Sequence, residues 1–184
     1  MHDFSRDLLR MLNFEEHDSV LRSRYNIPLH IRGEPMQMAQ AGTCLVHYRM
    51  PLLFLVGLEY TTELSARDRG LGVIEAAVAA FQLNNRTRSQ LGKERKDSMS
   101  IPCIVMVGTR PIFYVVPVTK ELSAAVERGP CPEHMTEVRK CEVVGETGQL
   151  NEGMQMADFR LEALKHYILF RSLAKGLWSG FLAD

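Results

Sequence analysis

The chain has 184 residues, 46% of them hydrophobic and 24% charged, which suits a single globular domain with a sizeable core. Its 22 basic and 22 acidic residues cancel, which excludes a globally basic nucleic-acid binder and leaves only a local patch to serve that purpose. The charged, amphipathic start Met1-His2-Asp3-Phe4-Ser5-Arg6-Asp7 does not read as a signal peptide, and no apolar run has the length of a membrane span. An intracellular location, cytoplasm or nucleus, with no membrane partner, is therefore expected.

Phe4, Leu8, Met11 and Leu12 recur at helical spacing and open a helix, with Ser5 or Asp3 as its cap. The pattern weakens at Asn13 and Phe14, so two readings stay open: the helix continues through Val20 and Leu21, or it breaks. Tyr25 to Ile31 alternates as a strand closed by Gly33 and Pro35. Thr43 to Tyr48 and Leu52 to Tyr60 are the next two strands, and their short connections predict an antiparallel meander. A long helix follows from Ala66 to Leu91, with Val73, Ala76, Ala77, Ala80 and Phe81 as its apolar stripe.

Ile101 to Val107 and Ile112 to Val118 read as a hairpin around the four-residue connection Gly108-Thr109-Arg110-Pro111. Thr119 caps a short helix, Lys120 to Glu127, which Gly129 and Pro130 stop. Val138 to Val144 is a partly exposed strand. The last element is a helix from Met154 to Phe181 whose seam, Ala163, Tyr167, Phe170, Ala174, Leu177 and Phe181, is broad enough to dock on the domain or on a second copy. The reading is a single α/β (α+β) domain over residues 1–184, with a mixed central sheet flanked by helices and a long C-terminal helix.

The apolar run Leu52 to Tyr60 carries the most functional information, because it ends on a lone carboxylate, Glu59. A metal-dependent nuclease places an acid and a lysine at such a strand end, whereas the next lysine here is Lys93. A hard cation, Mg or Mn, needs two or three converging oxygen ligands, and the candidates are Glu15, Glu16, Glu34, Glu59 and Glu63. Cys131, His134 and Cys141 supply three possible zinc ligands but no fourth at sensible spacing. Cys44 and Cys103 sit in apolar runs and fit buried, reduced thiols. His30 and His47 lie in strands and read as structural. There is no Gly-x-Ser-x-Gly elbow and no phosphate-cradling glycine motif. The segment Arg86, Arg88, Lys93, Arg95 and Lys96 is locally basic against Glu94 and Asp97 and suits phosphate contact, with Arg110 adding to it if both share a face.

Several phrases together resemble an uncharacterised family of fungal, mainly mushroom-type, proteins. They are Leu21-Arg22-Ser23-Arg24-Tyr25-Asn26-Ile27-Pro28, Ala39-Gln40, Ala79-Ala80-Phe81-Gln82, Ile101-Pro102-Cys103-Ile104, Gly108-Thr109-Arg110-Pro111-Ile112-Phe113-Tyr114 and Pro117-Val118-Thr119-Lys120-Glu121-Leu122. The element order of that family resembles the PD-(D/E)XK, restriction-endonuclease-like core: a helix, a three-strand meander, a helix and a further strand. The resemblance implies a metal-binding Asp two residues after Ala39-Gln40, where this chain has Gly42. It implies an acid-acid-lysine run at the end of the third strand, where this chain has Leu58-Glu59-Tyr60. A glutamine expected on the following helix would fall near Leu71 or Gly72 and is missing.

Losing a carboxylate and the lysine removes both metal ligation and charge stabilisation. The expectation is thus a catalytically degenerate nuclease-fold protein with no cofactor that binds nucleic acid or a protein partner. Two alternatives stay open. One is an active Mg- or Mn-dependent nuclease with a migrated site built from Glu15 or Glu16, Glu34 and Glu59. The other is a homo-oligomer assembled through the C-terminal helix.

Overall fold

The computed structural model describes residues 2–16, 18–32, 37–58, 66–129, 132–145 and 153–182. The elements run α1 (His2–Met11), β1 (Ser19–Leu29), β2 (Gln37–His47), β3 (Met50–Leu58), α2 (Ala66–Gln90), β4 (Ser98–Val107), β5 (Arg110–Thr119), α3 (Lys120–Arg128), β6 (Arg139–Glu142) and α4 (Ala157–Leu182). The strands form one mixed sheet in sequence order. Neighbours are antiparallel except β3 and β4, which run parallel and need α2 as their crossover. The architecture is the expected α+β one, with a mixed sheet, four helices and a long C-terminal helix.

The first helix breaks rather than continues. Asn13 takes a left-handed φ of 56°, which asparagine tolerates better than most residues, and the Phe14 N–H returns to the Leu9 carbonyl at 3.0 Å. From Ser19 the chain pairs with β2, so Val20 and Leu21 are strand residues. The hairpin between β4 and β5 is tighter than expected. Arg110 and Pro111 already pair with Val107 and Met106, leaving only Gly108 and Thr109 in the turn, with Gly108 at φ 59°.

α2 is apolar over more than one stripe: Val73, Ala76, Ala77, Val78, Ala79, Ala80 and Phe81 are all buried. Its run of alanines lets the helix lie close to the sheet, and it touches every strand from β1 to β5. Asn84 of α2 donates to the Pro51 carbonyl at 3.0 Å and lies 3.9 Å from the Met99 sulfur. On α4, the Tyr167 hydroxyl donates to the Met106 sulfur at 3.0 Å, and the Phe113 ring packs 5.0 Å from Tyr167 and 4.9 Å from Phe170. Side chains alternate along a strand, so Met99 and Met106, seven residues apart on β4, point to opposite faces. The sheet is thus sandwiched between α2 and α4.

The seam of α4 is Phe159, Ala163, Tyr167, Phe170, Ala174, Trp178 and Phe181, with Trp178 taking the buried place expected of Leu177. These side chains are used on the protein's own sheet. Of the two expected uses of the seam, docking on the domain is the one the fold makes.

Candidate nucleic-acid-binding cleft

Of the carboxylates expected to converge on a metal, Glu15 and Glu16 are among the described residues, and each is engaged by another partner. Glu15 accepts from the Leu21 N–H at 2.9 Å and from Arg10 Nε at 3.0 Å. Burial raises its pKa, but the Leu21 amide and the Arg10 guanidinium outweigh that and hold it below the usual glutamate range. Glu16 is ion-paired with Lys175 of α4. Both sit in the turn before Ser19, which pairs with His47, which in turn pairs with Met50 at the start of β3.

Leu58, the last described residue before Glu59, pairs with Val107 at the other end of the sheet. The nine residues of β3 span about 26 Å at ~3.3 Å per step, so Glu15 and Glu16 do not meet the end of that strand. Glu15 and Glu16 on one side and Leu58 on the other are thus well separated along the sheet. Glu34, Glu59, Glu63, Tyr60 and Cys131 lie outside the described residues. His134 and Cys141 are both exposed. Among the described residues, no group of three or more His, Cys, Asp or Glu is placed to hold a metal ion.

The basic segment divides. Arg88 is only 1% exposed. Its Nε donates to the Glu94 carbonyl at 2.7 Å and its Nη1 to the Phe181 carbonyl at 2.6 Å. It is a buried tie between α2 and the end of α4, which corrects its assignment to phosphate contact. Lys93 turns the same way, with Nζ 3.5 Å from the Leu182 carbonyl. Arg110 lies at the far end of β4, about 30 Å along the strand from Ser98. It donates to the Val143 carbonyl at 3.1 Å and stacks its guanidinium 5.8 Å from the Phe159 ring centre. It does not share a surface with the basic segment, which corrects that expectation too.

Arg86, Arg95 and Lys96 do come together, in a cleft of about 700 Å³ between α2 and α3. Lys120 and Arg128 of α3 join them, and Asp97 and Glu127 are the acids in its wall. Neither Lys120 nor Arg128 was expected from the sequence. The signal that would have found them is the hairpin itself. Ser98 pairs with Thr119, so the residues before β4 and after β5 become neighbours, and the Lys120 N–H donates to the Asp97 carbonyl at 2.8 Å.

The walls are held by specific bonds. Asn85 of α2 accepts from the Lys96 N–H at 2.8 Å and donates to the Lys96 carbonyl at 3.0 Å, which fixes the loop before β4. Arg95 Nε donates to the Ser89 hydroxyl at 2.8 Å. α3 starts where the Thr119 hydroxyl accepts from the Leu122 N–H at 3.2 Å, and it ends at Gly129, whose φ of 92° favours glycine. Pro28 and His30 form the third side. There Gln82 of α2 exchanges two bonds with the His30 backbone, at 2.9 and 3.3 Å, and the Arg32 N–H donates to the Val126 carbonyl of α3 at 3.2 Å. Among the described residues no carboxylate forms an ion pair with Arg86 or Arg128.

Chemically, the cleft is an electropositive surface braced by hydrogen bonds, of a kind that suits an anion. Its cations present hydrogen-bond donors at a cleft mouth, and the two acids among its described lining residues, Asp97 and Glu127, cannot neutralise all five. No protein-family profile matches the chain, no curated protein matches it, and no solved structure matches it.

Proposed function

We propose that this chain is a catalytically degenerate nuclease-fold protein that binds nucleic acid through the cleft between α2 and α3. The observation that carries the reading is a concentration of charge: five cations face two acids in one cleft of a chain with zero net charge. Polyphosphate backbones are the ligands that such a surface attracts, by releasing condensed counterions. The order of α1 through β4, with β3 parallel to β4, supports the nuclease-type frame. Gly42 in β2 and the sequence Leu58-Glu59-Tyr60 support the loss of cleavage, since they leave one acid and no lysine for a metal-assisted step. Binding at the cleft needs no Mg or Mn.

Fluorescence anisotropy with labelled oligonucleotides, at several salt concentrations, tests the binding. Arg86→Glu and Lys120→Glu are each expected to weaken it at least about tenfold, since each turns an attraction into a repulsion. Affinity unchanged in both folded variants overturns the reading. Incubation of DNA and RNA with Mg or Mn is expected to give no cleavage. Robust cleavage that disappears in Glu59→Ala would sink the degenerate assignment.

A further inference from the structure

We infer that the cleft takes a single strand by its sugar–phosphate backbone, without reading its bases, and excludes the body of a duplex; this rests on the nucleic-acid reading above. Three observations converge on it. The first is size. About 700 Å³ falls in the ~300–1,000 Å³ range that accommodates a drug-sized molecule, so a flexible strand can enter a short stretch at a time. A duplex is a stiff rod that would touch only the rim.

The second is rigidity. The bonds of Asn85 to Lys96, of Gln82 to His30 and of Arg32 to Val126 tie three sides of the cleft to one another, so it does not widen readily to admit a rod.

The third is the distribution of chemistry. Arg86, Arg95, Lys120 and Arg128 are exposed, whereas Phe81, the aromatic in the floor, is only 3% exposed. Strand-binding proteins that hold bases offer aromatic faces for stacking. Here no Phe, Tyr or Trp ring among the described lining residues is open to a base. What the cleft offers is charge, and charge reads phosphate rather than sequence.

The test compares an oligo(dT) strand of about twelve nucleotides, near the site sizes of strand-binding domains, with oligo(dA) and with the matching duplex. The single strands are expected to bind at least tenfold tighter than the duplex and within about threefold of each other. Each phosphate contact on a single strand contributes about −0.7 to the slope of log affinity against log salt, so five cations give at most about −3.5. Arg86→Gln and Lys120→Gln should each reduce that slope by about 0.7 while circular dichroism stays unchanged.

A duplex that binds as tightly as the strand, and weakens in the same two variants, overturns this inference but leaves the nucleic-acid reading standing. A base preference above tenfold that vanishes in His30→Ala shows stacking on the exposed imidazole and overturns it too. Binding of neither strand nor duplex, or binding indifferent to both variants, overturns the reading on which it rests.

Discussion

Replacing Arg88 by methionine separates a structural from a ligand-binding role for the basic segment. The Arg88 guanidinium is buried and donates to the carbonyls of Glu94 and Phe181. Phe181 lies in the last turn of α4, where unsatisfied carbonyls and the negative end of the helix dipole favour a cation. A hydrogen bond from a charged donor contributes about 1.5–3 kcal/mol, and Arg88→Met removes two while roughly keeping the side-chain volume. Some of that loss returns as the cost of burying a guanidinium disappears. The net destabilisation should be about 2–4 kcal/mol.

Trp178, the sole tryptophan, is buried on α4 one turn before Phe181, so its fluorescence during urea unfolding reports the region that Arg88 ties down. Arg88→Lys keeps the charge but loses the planar fork, and it should fall between the two. A stability within about 0.5 kcal/mol of the wild type at equal m-value, the range of an ordinary surface substitution, would refute the reasoning. It would refute it most clearly if oligonucleotide affinity fell at the same time.

The Glu15 carboxylate is held below its unfolded pKa, so its contribution to stability is present above the unfolded value and disappears as pH falls through the folded one. Glu15→Gln should lower stability at pH 7 by about 0.5 kcal/mol, the scale of a partly exposed pair, and make no difference near pH 2, as read by urea midpoints at both. The Thr43 hydroxyl is fully buried with no hydrogen-bond partner among the described residues, so Thr43→Val should stabilise by about 1 kcal/mol; a loss in thermal midpoint would count against this. Burial pushes the thiols of Cys44 and Cys103 up, and Cys103 raises Cys44 further, while Cys141 is exposed. In a Cys131→Ser background at pH 8, DTNB should therefore label Cys141 quickly and the other two only on unfolding; rapid labelling of more than one thiol would contradict the burial. Tyr48 and Arg49 hold left-handed φ of 44° and 70° in the two-residue turn between β2 and β3. Tyr48→Asn and Arg49→Gly should each stabilise by about 0.5–1 kcal/mol in chemical denaturation, and a destabilised double variant would argue for contacts that outweigh the strain.

The elements that the sequence announced are those specified locally. α3 is legible because Thr119 and Gly129 supply its cap and its stop within eleven residues of chain, and both act as their chemistry suggests. The seam of α4 is legible because Ala163, Tyr167, Phe170 and Ala174 repeat at the helical period, although the period cannot distinguish Leu177 from Trp178 at the end of the row. The stretch from Glu15 to Arg24 was less legible. Val20 and Leu21 continue the spacing of a helix as well as they fit a strand, and what decides between the two is the pairing of Val20 with Val46 and Leu21 with Leu45, contacts more than twenty residues away. Long-range pairing overrode an ambiguous local pattern.

The site shows the same division more sharply. Arg86, Arg88, Lys93, Arg95 and Lys96 look alike as letters, and a charge at a helix end is ordinarily solvated. Their separation into cleft and core depends on where α4 ends, because Arg88 finds its acceptor 93 positions later. Lys120 and Arg128 enter the cleft for a different reason: the two-residue turn at Gly108 and Thr109 folds β5 back along β4 and returns the chain to its starting level. A hairpin predicted from turn chemistry therefore carried more functional information than the positions of its own charges. It brings together charges on either side of it, Lys96 and Lys120, while it carries Arg110, at its tip, away from them. Charge clustering in a neutral chain is in this sense a consequence of topology: the same cations in an open three-stranded arrangement would be dispersed, and the local positive field of the cleft would not form.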